Sequence, residues 1–433
     1  MQNYYKKHLI KIGIVKFAGL YIIVAEMRVE ELRKEFPVLS RKINSKNLVY
    51  FDNAATAQRH ISVIAEWNRL NLESNANIHR AVHTMAEECT DAYEQARDAV
   101  RAYLNASARE EIVFTSGATA AINLLAYTFG ERFVSEGDEI IVAECEHHSD
   151  MVPWYMLCRR KKARLVKLPV DDDGRIEVDM LPSLINGNTS LIAVAHISNV
   201  LGIINPVKEI VSIAHSRNVP VLIDGAQGIV HCPVDVQELD CDFYAFSGHK
   251  MYAATGTGVL YGKKKWLEQL PPFMGGGEMI SSVSFEDVKF AEIPMRFEAG
   301  TQNFASTATL KQACELLNLL NDNELSDYFK QVSLSMENVL KNFGGLKIFG
   351  NAEIGGDKAP LWSFSIEGVH HEDLAILLDK MGVAVRSGQM CAEPLMDRFG
   401  VSGMLRVSLA PYNTLEEVDY FGKSLARAVG MLR

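Results

Sequence analysis

Several things are scarce in this sequence. Only seven of its 433 residues are cysteine (Cys89, Cys145, Cys158, Cys232, Cys241, Cys314 and Cys391), and no two form a C-x-x-C pair. An odd, scattered set does not read as a disulfide framework, and a reducing compartment, the cytoplasm, suits it better. No apolar run approaches the roughly 20 residues that a membrane-spanning helix needs. The run over 17–25, preceded by Lys6, Lys7, Lys11 and Lys16, is too short, and no small-residue cleavage site follows it. Residues 1–26 read as an extension upstream of a start at Met27. Positive charge is not in excess: 44 Lys and Arg against 54 Asp and Glu give a formal net charge of −10. That balance argues against nucleic acid or an anionic membrane as partner. Repeats and low-complexity tracts are lacking, and no His/Cys/Asp spacing resembles a structural zinc site.

Apolar mass, by contrast, is plentiful. With 48% hydrophobic and 23% charged residues, the chain can build large cores. Its middle alternates short β-rich runs with helical patterns. Glu111–Thr115, Glu139–Ala143, Leu191–Ser198, Val219–Asp224 and Phe243–Phe246 read as strands, with helices over Ala118–Phe129 and Val207–Arg217. Such alternation predicts an α/β fold around a mostly parallel sheet, with ligands at the carboxyl ends of its strands. Beyond residue 310 the texture changes. Long helices are expected over Leu310–Leu320 and Glu324–Phe343, strands over Leu361–Ile366 and Leu405–Leu409, and a closing helix over Leu415–Met431. The expected division is an arm at 27–40 joining the smaller domain, a large domain at 41–309, and a smaller α/β domain at 310–433.

The residues after the predicted strands carry the chemistry. Ser247-Gly248-His249-Lys250 follows Phe243–Phe246. A lysine in that position, its amine made less basic by burial, is suited to forming a Schiff base with a carbonyl ligand. Asp224 ends Val219–Asp224 and precedes Gly225-Ala226-Gln227. A strand-end carboxylate can pair with a protonated pyridine nitrogen, so Asp224 with Lys250 is the constellation that pyridoxal phosphate (PLP) requires. Thr115-Ser116-Gly117-Ala118-Thr119 leads from a strand into a helix, where backbone N–H groups can hold a phosphate. Glu146-His147-His148 follows Glu139–Ala143; one imidazole could stack on a ring and the other is structural. Cys391 is expected in a mobile loop after a strand at Val383–Arg386.

These segments together resemble the class V aminotransferase-like PLP enzymes, and within them the SUF-type cysteine desulfurases. The likeness runs from about Met27 to the end of the chain. It rests on YFDNAATAQ at Tyr50–Gln58, HRAVHT at His79–Thr84, EHHSDMVPW at Glu146–Trp154, ISNVLG at Ile197–Gly202 and DGAQ at Asp224–Gln227. DCDFYAFSGHKMY at Asp240–Tyr252, RFEAGTQN at Arg296–Asn303 and RSGQMCAEPL at Arg386–Leu395 complete it. Each motif is a modest signal; their joint order is specific. The chain departs from the pattern at Gln389-Met390, where close relatives often carry His-His, and at Ala253-Ala254, where Gly-Pro is common.

The resemblance implies a type I PLP-dependent transferase fold and the cofactor pyridoxal 5'-phosphate. It implies that Lys250 carries the cofactor, Asp224 pairs with its ring nitrogen, Gln227 bonds its hydroxyl and His147 stacks on it. Ala118, Thr119, Ser247 and His249 would hold the phosphate, with Thr301 reaching across from a second subunit of a homodimer. Asn199 and Arg406 would bind the substrate carboxylate. Cys391 would take sulfur from L-cysteine as a persulfide, release L-alanine and pass the sulfur to an acceptor protein. Iron–sulfur cluster assembly is the family's pathway, and selenocysteine lyase a side activity. The rivals are another PLP reaction on the same scaffold, such as transamination, and a non-catalytic binding module.

Overall fold

The structure is a computed structural model that describes residues 27–433. The extension expected at 1–26 lies outside the described residues. Seven strands form the main sheet, in the order Ile112–Thr115, Gly258–Gly262, Phe243–Ser247, Val221–Asp224, Thr189–Ala195, Glu139–Ala143 and Arg164–Leu168. Gly258–Gly262 runs antiparallel to both neighbours; the other pairings are parallel. The central strands are buried along their length, so they are continuously apolar rather than alternating. Helices Ala118–Phe133, His148–Lys161 and Val207–His215 connect and cover them. Thr115, Ala143, Ala195, Asp224 and Ser247 therefore all end at one edge of the sheet.

A second sheet has four antiparallel strands, in the order Leu346–Phe349, Leu361–Ile366, Met404–Ser408 and Arg386–Gly388. Helices Asn323–Lys341, His371–Lys380 and Leu415–Leu432 accompany it. The last begins with a capping box: the Thr414 hydroxyl accepts from the Glu417 N–H, and the Glu417 carboxylate accepts from the Thr414 N–H. Residues 27–34 are helical and reach this part of the molecule, where Arg33 pairs with Glu417 at 2.7 Å and Arg28 with Asp322 at 3.1 Å.

Differences from the sequence reading have plain causes. The helix expected from Leu310 begins at Phe304 and packs on helices Ile61–Glu73 and Thr84–Tyr103. Residue 310 thus lies inside a helix that leans on the larger body. The strand expected over Leu191–Ser198 ends at Ala195, because Ile197 turns away to bridge Ile204. The strand expected at Val383–Arg386 is two short ones. Val383–Ala384 pairs in parallel with Val49–Tyr50, and Arg386–Gly388 pairs with Met404–Ser408.

Candidate active site

A cavity of about 280 Å³ opens where the carboxyl edge of the seven-stranded sheet meets the four-stranded sheet. Asp224 and Lys250 line it from the larger body. Asp224 is buried, and its Oδ1 accepts a 2.8 Å bond from the Ala226 N–H. Burial pushes its carboxyl above the ordinary carboxylate range, and Lys250 opposes the shift. Burial likewise pulls the Lys250 amine below the ordinary lysine value, against the attraction of Asp224, while Arg406 pulls it down further. A lysine so placed has more of its free-base form near neutrality than a surface lysine has.

Ala118, Thr119, Ser247 and His249 line the adjoining end of the cavity. The Ala118 N–H, in the first turn of helix Ala118–Phe133, donates to Ser247 Oγ at 2.8 Å. Thr119 Oγ1 lies 2.7 Å from Ser149 Oγ. His249 Nδ1 lies 3.0 Å from Thr56 Oγ1, and burial lowers the imidazole to about 4. Glycine is required where the loop meets the sheet. Gly117 has φ +151°, and a Cβ on Gly258 would stand 2.4 Å from the Gly117 Cα. A helix N-terminus ringed by hydroxyls is a ready anion cradle. One end offers phosphate donors, the floor an aspartate, and between them stands a lysine of lowered basicity. This donor set fits a phosphorylated pyridine aldehyde.

His147 also lines the cavity, where burial holds it neutral, down at about 4, with Lys250, His148 and Arg406 adding to the shift. Its Nδ1 accepts from the Ser149 N–H at 3.0 Å, capping the helix that follows and leaving the ring proton on Nε2. Gln227 is buried next to the cavity wall, and its Nε2 donates to the Ala54 carbonyl at 2.8 Å. Beneath this wall Glu146 and Asp150 are both buried, and burial pushes both carboxyls up, with Asp150 adding to the shift of Glu146 and Asp224 to that of Asp150.

The opposite wall comes from the four-stranded sheet. Arg406 is buried; its Nη1 donates to the Asn199 carbonyl at 2.7 Å and its Nη2 lies 3.4 Å from Asp52 Oδ1. Its Nε has no partner among the described residues. Burial lowers the guanidinium to about 10, against Asp52, so it remains charged near neutrality. The Asn199 side chain donates to the Met390 carbonyl at 2.7 Å.

Cys391 is exposed and lines the cavity mouth, while five of the other cysteines are buried and Cys232 is half-buried. Cys391 lies in the expected loop, a short connection between strand Arg386–Gly388 and helix Glu393–Phe399 in which the Met390 and Cys391 carbonyls accept from Asn199 and His148.

One cavity thus gathers ten of the twelve residues singled out in the sequence; Gln227 abuts it. Thr301 does not line it and is exposed on the segment after Glu298. That segment is firmly held, since Arg97 grips both Glu298 oxygens at 2.8 and 2.9 Å inside the protein. Sequence reasoning missed Asp52, which bridges Arg406 and Arg386 (2.7 Å to Oδ2), and Arg386 itself as a cavity residue. Asp52 lay inside the quoted motif at Tyr50–Gln58, but nothing local marked it as a partner for arginines 334 and 354 residues away.

In sequence and overall fold the chain is similar to known proteins. The family model for aminotransferase class-V matches residues 49–421. A cysteine desulfurase of Serratia proteamaculans is 42% identical over 405 residues, covering 93% of this chain and 99% of that one. The solved structure of the cysteine desulfurase CsdA from Escherichia coli aligns at TM-score 0.86 with 39% identity, over 94% of this chain and 99% of that one. The apo cysteine desulfurase of Thermococcus onnurineus NA1 aligns at TM-score 0.85 with 32% identity, over 93% and 98%.

Proposed function

The chain belongs to the aminotransferase class-V family, and we propose from this premise that it is a cysteine desulfurase that uses PLP, held through Lys250. The observation that carries the reading is one cavity lined by Lys250 and Asp224 on one side and by Arg406 and Cys391 on the other. Ala118, Thr119, Ser247 and His249 would hold the phosphate, Asp224 the ring nitrogen, Gln227 the ring hydroxyl and His147 the ring face. Bound there, PLP supplies an electron sink for charge developing at the substrate Cα.

The protein's own groups do the rest. Arg406, with Asn199 beside it, takes the carboxylate of L-cysteine; its buried Nε has no partner among the described residues and is a donor in reserve. The Lys250 amine, of lowered basicity, moves the Cα proton. The Cys391 thiolate attacks the substrate sulfur, a persulfide forms on Cys391, the carbon–sulfur bond breaks, and the remaining skeleton leaves as L-alanine once protonated. An exposed Cys391 can then hand the sulfur to an acceptor protein, in keeping with iron–sulfur cluster assembly. Selenocysteine is a substrate of the same site, since selenolate leaves more readily than thiolate.

A homodimer completes the reading, because Thr301 is exposed outside its own cavity and can contact a second subunit's phosphate. The functional division is a large cofactor-binding part and a smaller C-terminal part joined by the 27–40 arm. Among the described residues no helix is long and apolar enough to cross a membrane, and free cysteines suit the cytoplasm. The test is direct. Purified protein given L-cysteine releases L-alanine and gains one sulfur atom on Cys391 by mass spectrometry; absence of both overturns the proposal.

A further inference from the structure

The segment bearing Cys391 has an unusual backbone. Met390 and Cys391 are consecutive non-glycine residues with φ +55° and +57°. Left-handed backbone is uncommon for such residues and persists where surrounding structure enforces it. Two points on the larger body do so. On one side the His148 N–H donates to the Cys391 carbonyl at 2.7 Å, while His148 Nε2 accepts from the Glu393 N–H at 3.2 Å. On the other side the Asn199 amide donates to the Met390 carbonyl at 2.7 Å. One pin begins the helix after strand Glu139–Ala143, the other follows strand Thr189–Ala195, and both belong to the body that carries Lys250.

We propose that His148 and Asn199 are positioning residues that clamp the Met390–Cys391 backbone in its left-handed form and so fix the thiol over the cavity. The inference rests on the desulfurase reading for its meaning but not for its geometry. Asn199 acquires a second task. Its backbone carbonyl accepts from Arg406 and its side-chain amide donates to Met390, so the carboxylate-binding arginine and the nucleophile segment meet at one residue. The His148 ring makes its bond to the nucleophile segment and lies outside the cavity lining, so its loss affects thiol placement without touching substrate.

The test uses the PLP-loaded full chain without substrate. Hydrogen exchange of the peptide spanning 387–393, read by mass spectrometry, should quicken several-fold in His148→Ala and in Asn199→Ala. It should return toward the wild-type rate in His148→Gln, whose side-chain oxygen can accept from the Glu393 N–H. A residue that only binds substrate carboxylate would not alter exchange in the absence of substrate. In turnover, His148→Ala should lower kcat about tenfold to a hundredfold, as expected for a displaced reacting group, with KM unchanged within about twofold. Unchanged exchange in both alanine variants overturns the clamp. If His148→Ala does not fold, Asn199→Ala decides alone. A wild type that releases no alanine from L-cysteine refutes the functional reading, while the exchange result still decides the clamp.

Discussion

The two walls of the cavity are built by opposite means. The wall from the seven-stranded sheet works by burial. Asp224 and Lys250 sit at strand ends deep in the protein, and withdrawal from water sets their protonation. The wall from the four-stranded sheet works by tethering. Cys391 is exposed, and its position comes from hydrogen bonds to a neighbouring body. The difference suits the tasks proposed for them. An amine that must lose its proton near neutrality gains from a dry setting, whereas a group that must meet both a buried substrate and an outside acceptor has to stay at the surface.

Substitutions can break this contrast. The largest effect should come from Lys250→Ala, which removes the amine from the buried wall; alanine release should fall by at least about ten-thousandfold. Cys391→Ser should lower desulfuration about a thousandfold while leaving the visible absorption of bound PLP unchanged, because it alters only the tethered wall. Full activity in that variant would point to transamination-type chemistry instead. Asp224→Asn should cost roughly a hundredfold in kcat, since a neutral amide does not stabilise a protonated ring nitrogen as a carboxylate does. Arg406→Lys should raise KM for L-cysteine about tenfold or more with a smaller change in kcat, through loss of the planar fork.

A smaller effect sharpens the role of burial. His196, 5% exposed and 3.0 Å from the Tyr244 hydroxyl, is held at about 4 by burial, below the ordinary 6.5. As pH falls below 6.5 the unfolded chain takes up this proton before the folded one does. The associated stability is therefore present above about pH 6.5 and is lost toward about pH 4. In His196→Asn that term is gone. The stability of wild type relative to the variant, from urea unfolding, should drop by about 2 kcal/mol between about pH 7 and about pH 5.

The buried wall was legible in the sequence because its chemistry follows short apolar strands: Asp224, Ser247, His249 and Lys250 each come just after such a run. The alternation of strands and helices likewise pointed to the parallel sheet. Gly258–Gly262 escaped notice because a five-residue run flanked by glycines reads as a turn, yet it is a buried strand lodged between two others. The tethered wall was only half legible. Cys391 and Arg406 were found through motif likeness, but the bonds from Asn199 and His148 to residues 390–393 join places far apart in the chain. Local sequence carries no mark of such partners, so the loop was expected but its hydrogen bonds to the larger body were not.

Val49–Tyr50 pairs with Val383–Ala384, and Asp52 with Arg386, across 334 residues. Pairings between residues so far apart are intrinsically slow to form, because the chain between them must first be closed into a loop. On the ribosome, Lys250 and the residues around Ala118 and Ser247 are made well before Cys391 and Arg406. The proposed sulfur chemistry would therefore wait for the nearly finished polypeptide.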